Sequence, residues 1–359
     1  MIRVFVTDCE GPISKNDNAF ELAQHYIPDG ARFFRTLSRY DDVLAYLERR
    51  PGYSAGYTLK LVAPFFKAYG ATNQEVEDYS GSHILLIEDA EEALHHILGL
   101  LPSYIVSTSY EQYIKALCKV VDFPVANTFS TNLDLDRYEL SEAEVARLKD
   151  LREEISQLPE IDIPEGAEKV QDLPTEMRAT VERLDMVFFS ELPRMATGRF
   201  LEEVCPIGSR EKAEALEEIG KRFRVSLDGF MYVGDSITDI EAFRAVRGAG
   251  GVAVSFNGNQ YAVQEADVAI LSKTALATAL VAEAFAKIGR EGSLQLAEDW
   301  GPEAIRKSIS SELSGRFFSA LREELPRVMR VTPDNIEQLV EESNAFRRTV
   351  RGRAVGSLG

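Results

Sequence analysis

Three stretches far apart in this chain share one construction. Each is a short apolar, β-branched run that stops at polar residues and gives way to a helix-like pattern. They are VFVTDCEG from Val4, SYIVSTS from Ser103 and FMYVGDSITD from Phe230. Buried-type strands of this length, separated by helical segments, mark a parallel sheet, because parallel neighbours need a crossover connection. In such sheets ligands sit beyond the carboxyl ends of the strands. The sequence puts Asp8 and Glu10, Ser107 and Thr108, and Asp235 and Asp239 at those ends. The expected fold class is therefore α/β, a Rossmann-like parallel sheet with added helical parts.

Between the first two strands, AFELAQHYI, DDVLAYLERR, GYTLKLVAPFFKAYG and EDAEEALHHILGLL carry apolar residues at helical spacing, with breaks at Pro51-Gly52 and Gly70. ANTFSTNLDL (126–135) is a third strand candidate, and GGVAVSF and DVAIL are two more. From 139 the composition turns charged. Ser141 with Glu144 forms a capping-box pattern ahead of one helix, a Pro-rich acidic connection follows, and TEMRATVERLDMVFFSELPRM reads as a second helix. We divide the chain into a sheet core of residues 1–16, 100–138 and 206–289, a helical segment 17–99, a helical insertion 139–205 and a helical C-terminal extension 290–359. The extension ends in FRRTVRGRAVGSLG, whose Arg347, Arg348, Arg351 and Arg353 read as a solvated terminus.

The formal net charge of −18 argues against a nucleic-acid binder, since the phosphate backbone attracts basic surfaces. Three cysteines, Cys9, Cys118 and Cys205, form no CxxC, and the four histidines lack zinc-ligand spacing, so a reducing cytoplasm is expected. MIRVFVTD is too short an apolar run for a signal peptide. No stretch approaches the roughly 18 apolar residues of a spanning helix, and no membrane partner is expected.

Each chemical signal has a plain counterpart. Asp8, Glu10 and Gly11 could be turn residues after a strand. Asp235 and Asp239, four apart after a strand end, suit a hard cation such as Mg²⁺, or the helix that follows could be capped by either. The hydroxyls of YIVSTS could meet an anion at a helix start or merely cap that helix. Lys212 stands at a helix start, where the macrodipole disfavours a cation. Taken in order, strand–DxE–G, strand–Ser, helix-start Lys and strand–GDSxTD, these residues resemble the four-motif pattern of the haloacid dehalogenase superfamily over residues 2 to about 272. The segment from SKNDNAFELAQHY onward is similar to the C1-type cap of its phosphoserine phosphatase-like members.

That resemblance implies a Mg²⁺-dependent phosphomonoester hydrolase acting on a small phosphorylated metabolite. Asp8 would be the nucleophile and Glu10 the acid and base. Ser107 and Lys212 would hold phosphoryl oxygens. The metal would lie on Asp8, Asp235 and the Glu10 carbonyl, with Asp239 a further ligand or an anchor. Either Ser107 or Thr108 could face the phosphate; we take Ser107, which directly follows YIV. Glu10 departs from the usual Asp, and Pro12 replaces a frequent Thr. For substrate binding the resemblance points to Asp17 and Lys60, shorter or differently shaped than the Glu and Arg that grip phosphoserine, and to Asn257, for which a turn role is an equal reading. Lys lacks the bidentate fork of Arg, so phosphoserine itself is not favoured. The chain also looks somewhat like an archaeal group of this superfamily named after an energy-converting hydrogenase A subunit. The alternative function is a non-catalytic or regulatory subunit that keeps the fold, with the insertion or extension as a homodimer or partner surface.

Overall fold

The computed structural model describes residues 2–164, 166–321 and 324–356, with backbone alone at 353 and 354. Among them, seven strands form one sheet: β1 (Val4–Thr7), β2 (Ser103–Tyr110), β3 (Thr128–Thr131), β4 (Phe230–Gly234), β5 (Val252–Phe256), β6 (Val268–Leu271) and β7 (Arg327–Arg330). Their order is β3-β2-β1-β4-β5-β6-β7. The first six run parallel and β7 is antiparallel to β6. The chain leaves β1 for β2 and β3 on one side and returns to β4 on the other, so the order reverses beside β1. The crevice at such a reversal is where α/β sheets bind ligands. The strands are buried on both faces, as continuous apolar runs require. Phe5, Met231, Val233, Val252 and Val254 join one core cluster, while Val4, Val6, Phe230, Tyr232 and Ala253 join the other.

Residues 17–99 supply α1 (Asn18–Tyr26), α2 (Gly30–Asp42), α3 (Thr58–Ala68), α4 (Asn73–Ser82) and α5 (Ala90–Leu98). Helices α1 to α3 pack around Phe20, Phe33, Phe65 and Phe66. α5 instead buries Ala93, Leu94 and Ile97 in the sheet core. After α6 (Glu111–Val120), the insertion carries α7 (Glu142–Gln157), α8 (Thr175–Met186) and α9 (Gly198–Glu203). Leu148, Leu151, Ile155, Leu184 and Phe200 share one apolar cluster with the α1–α3 residues, and Phe188 stacks on Tyr40 at 6.0 Å between ring centroids. The insertion thus enlarges the body built by α1–α3 instead of forming a separate unit.

The core continues through α10 (Ser209–Phe223), α11 (Ile240–Ala249), α12 (Gln260–Glu265) and α13 (Leu276–Ile288). The extension holds α14 (Arg290–Glu298), α15 (Pro302–Ser308), α16 (Ser311–Ala320) and α17 (Ile336–Gly356). It departs from the all-helical expectation by placing β7 on the sheet edge. Adjacent residues of a strand point to opposite faces, so Val328 enters the main core while Met329 packs on the smaller cluster of Val263, Ala269, Leu271 and Leu339, and the flanking arginines stay exposed, as suits an edge strand. Leu339 moors α17 to the core and is fully buried. Leu339→Ala is expected to lower unfolding free energy by about 2–5 kcal/mol in denaturant titrations.

Candidate metal and phosphate centre

A single ammonium group joins three parts of the fold. Lys212, fully buried in the first turn of α10, donates to Asp8 Oδ2 at 2.6 Å, to Asp239 Oδ1 at 2.8 Å and to Thr238 Oγ1 at 3.2 Å. Burial by itself would lower its pKa, but Asp239 and Asp8 outweigh that and raise it, so the lysine stays charged. Asp8 follows β1, and its backbone N–H continues the pairing to β4 by donating to Val233 O at 2.8 Å. Its Oδ1 accepts the Cys9 N–H at 2.6 Å. Burial pushes the Asp8 carboxyl up, with Lys212 opposing.

Asp8, Asp235 and Asp239 each offer a carboxylate oxygen within 4.8 Å of the others. Three hard oxygen donors at a strand end are a donor set that fits Mg²⁺. Their partners divide the labour. Both oxygens of Asp239 are engaged: Oδ1 by Lys212 and the Tyr232 hydroxyl, at 2.6 Å, and Oδ2 by the N–H groups of Asp235 and Ser236, at 2.8 and 2.9 Å. Asp239 therefore works as the anchor of the loop. Gly11 makes the approach possible. It has φ +108°, and a Cβ there would lie 2.2 Å from the Asp235 carboxyl carbon.

One cavity of about 110 Å³ is lined by Asp8, Glu10, Asp17, Ser107, Thr108 and Asp235 together. Glu10 accepts the Asn18 N–H at 2.6 Å, and burial, then Asp17, raises its pKa well above the usual carboxyl range. Asp17 caps α1 by accepting the Phe20 N–H at 3.0 Å. Ser107 Oγ is tied to Ser109, donating to its Oγ at 3.2 Å and accepting its N–H at 3.3 Å. Thr108 Oγ1 is buried and has no hydrogen-bond partner among the described residues, which makes it the hydroxyl in need of a ligand. Two expected substrate residues are elsewhere. Lys60 does not line the cavity; its ammonium lies 3.9 Å from the Tyr57 ring centroid and 5.7 Å from that of Tyr53, a cation–π seat. Asn257 does not line it either. Its amide is spent on Ser272, donating to the carbonyl at 2.7 Å and accepting the N–H at 2.9 Å, which holds a turn with φ +48°.

The sequence reading misses two residues of this centre. Arg347 and Arg351, one turn apart on α17, both bond Asp235 Oδ2, Arg351 at 2.8 Å. Neither is a solvated tail residue: their side chains are 3% and 5% exposed. Arg348 does face solvent, while the Arg353 side chain lies outside the described residues. The i, i+4 spacing of Arg347 and Arg351 is the available signal, since it puts both on one helix face. Asp41 and Asp42 at the end of α2 also line the cavity. Burial raises their carboxyls to about 6 and about 7.

Gly11→Ala is expected to destabilise the chain by at least about 2 kcal/mol through strain and overlap with Asp235, read by denaturant titration. Asp42 binds its proton more tightly folded than unfolded, so its contribution to stability is complete below about pH 4 and is lost as pH rises toward 7. Asp42→Asn should then raise the melting temperature at pH 8 and leave it nearly unchanged at pH 4.

No protein-family model matches the sequence, and no curated protein matches it. Among solved structures, the gene product AF1437 from Archaeoglobus fulgidus is 31% identical, with a TM-score of 0.81 over 100% of this chain and 99% of that one. A phosphoserine phosphatase in apo form is 14% identical over 76% of this chain and 96% of its own, at a TM-score of 0.43. A substrate-bound phosphoserine phosphatase complex is also 14% identical, over 76% and 95%, at 0.46. Among the described residues, the mostly parallel seven-stranded sheet with its added helices is a Rossmann-like α/β fold. Near-complete coverage of both chains at that identity, with sheet and extension included, means that this chain belongs to the family of the Archaeoglobus fulgidus gene product AF1437.

Proposed function

We propose that the chain is a phosphomonoester hydrolase of the haloacid dehalogenase type, acting on a small phosphorylated metabolite in the cytoplasm. The observation that carries this reading is the Lys212 ammonium shared by Asp8 and Asp239 at the carboxyl ends of β1 and β4. In the first step an Asp8 carboxylate oxygen attacks phosphorus, the bond to the leaving oxygen breaks, and Glu10 gives that oxygen its proton. In the second, Glu10 takes a proton from water, the hydroxide attacks phosphorus, and phosphate leaves Asp8 free. A raised carboxyl pKa suits Glu10 to hold the proton that the first step consumes. Lys212, Thr108 and Ser107 would meet the phosphoryl oxygens, where charge must be stabilised.

Asp8, Asp235 and the Glu10 carbonyl would hold Mg²⁺, which when bound neutralises repulsion between Asp8 and an anionic phosphate. The wall formed by α2 carries Phe34, Ser38, Asp41 and Asp42, with Lys60 turned away, so it offers no cation from the α1–α3 body for a substrate carboxylate. This disfavours phosphoserine as the substrate. A second reading, a non-catalytic subunit that keeps the fold, is favoured by the two guanidinium groups seated on Asp235. Phosphate release from a panel of phosphorylated metabolites separates the two. Under the hydrolase reading at least one ester is turned over in Mg²⁺, and Asp8→Asn lowers that rate by roughly a thousandfold or more. Absence of turnover of every ester by the folded protein would favour the subunit reading.

A further inference from the structure

The charges in this centre fall into two groups. Lys212 compensates Asp8 and Asp239, while Asp235 is compensated by Arg347 and Arg351 of the C-terminal helix. The same oxygen of Asp235 takes both guanidinium groups. Arg347 Nη1 also donates to the carbonyl of Asp235 at 3.2 Å, and its Nε is buried without a partner among the described residues. Arg351 reaches further, donating to the carbonyls of Lys15 and Asn16 behind Glu10.

This is a built contact. Ser343 Oγ, fully buried on the same helix, donates to Gly258 O at 2.6 Å. Val350 packs against the sheet core and Val355 against the α1–α3 body, so α17 spans both. The helical conformation is interrupted at Gly352, one residue past Arg351, by φ +79° and ψ +162°. With both arms in place the cavity holds about 110 Å³, well under the roughly 300–1,000 Å³ usual for small-molecule pockets.

Two guanidinium groups already compensate the single charge of the buried Asp235 carboxylate, and a divalent cation brought to the same carboxylate would meet them at close range, where like charges in a buried site repel strongly. We propose that the C-terminal helix is a built-in competitor for the divalent cation: Arg347 and Arg351 close the centre by holding Asp235, and the cation binds only as they release it. The inference rests on the metal-site reading above. It makes cation affinity a property of the extension as well as of the strand-end carboxylates, and it ties opening of the small cavity to the same exchange.

The test is Mn²⁺ binding to the full chain, followed by electron paramagnetic resonance and calorimetry, for wild type, Arg347→Gln/Arg351→Gln, and each of these carrying Asp235→Asn. The double variant should bind about tenfold or more tightly than wild type, and Asp235→Asn should abolish the gain. Arg351→Gln alone should show a smaller gain, and it decides the matter if the double variant fails to fold by thermal melting. Equal, Asp235-dependent binding in wild type and variant would overturn the competitor while leaving the metal site standing. Absence of Mn²⁺ binding in every protein, with Asp235→Asn making no difference, would overturn the metal-site reading and this inference together.

Discussion

The Lys212 ammonium is the point on which the centre depends. It lies at the start of α10, yet its three partners come from the turn after β1 and the turn after β4. A fully buried lysine needs opposite charge, and a cluster of buried carboxylates needs positive charge; each is tolerable only because of the other. The pairing therefore ties α10 to the turns that follow these two adjacent strands. Asp239 extends the effect, since its second oxygen gathers the N–H groups of Asp235 and Ser236 and shapes the loop that presents Asp235. Gly11 completes it by letting the first turn close against that carboxylate.

The surroundings are arranged around this charged knot. Tyr46, just beyond α2, donates to the carbonyl of Ile237 at 3.0 Å and so links the α1–α3 body to the β4 turn. The insertion supports that body from α7 and α9, sharing its apolar cluster. The extension approaches through β7 and Leu339, and its arginines meet Asp235. Segments from both ends of the chain thus converge on one small space. Burial raises the carboxyls of its acidic wall, Asp41 to about 6 and Asp42 to about 7, which lessens the repulsion an anionic ligand would meet there.

The residues that belong to short motifs are legible from local sequence. Asp8, Glu10, Asp235 and Lys212 follow strand ends or begin a helix, and a window of a few residues is enough to say so. The choice between Ser107 and Thr108 is not legible there, because both end the same strand and only the neighbours reveal that Ser107 is spent on Ser109 while Thr108 Oγ1 is orphaned. Lys60 misleads for a similar reason. Its place in the chain matches an expected position, but the Tyr53 and Tyr57 rings beside it attract the ammonium away from the cavity. Asn257 belongs to a turn whose partner, Ser272, is distant in sequence.

By itself, the sequence determined the parallel sheet, its order of strand and helix, and the chemistry of the strand ends. These follow from periodicity and from residue types within a few positions of one another. Tertiary structure alone decided that the insertion joins the α1–α3 body, that RVMR becomes an edge strand, and that Arg347 and Arg351 are buried on Asp235. The reason is separation along the chain. An arginine more than a hundred residues from its partner looks solvated in any local window, and it is the packing of this helix, through Leu339, Ser343 and Val350, that brings its face onto the carboxylate.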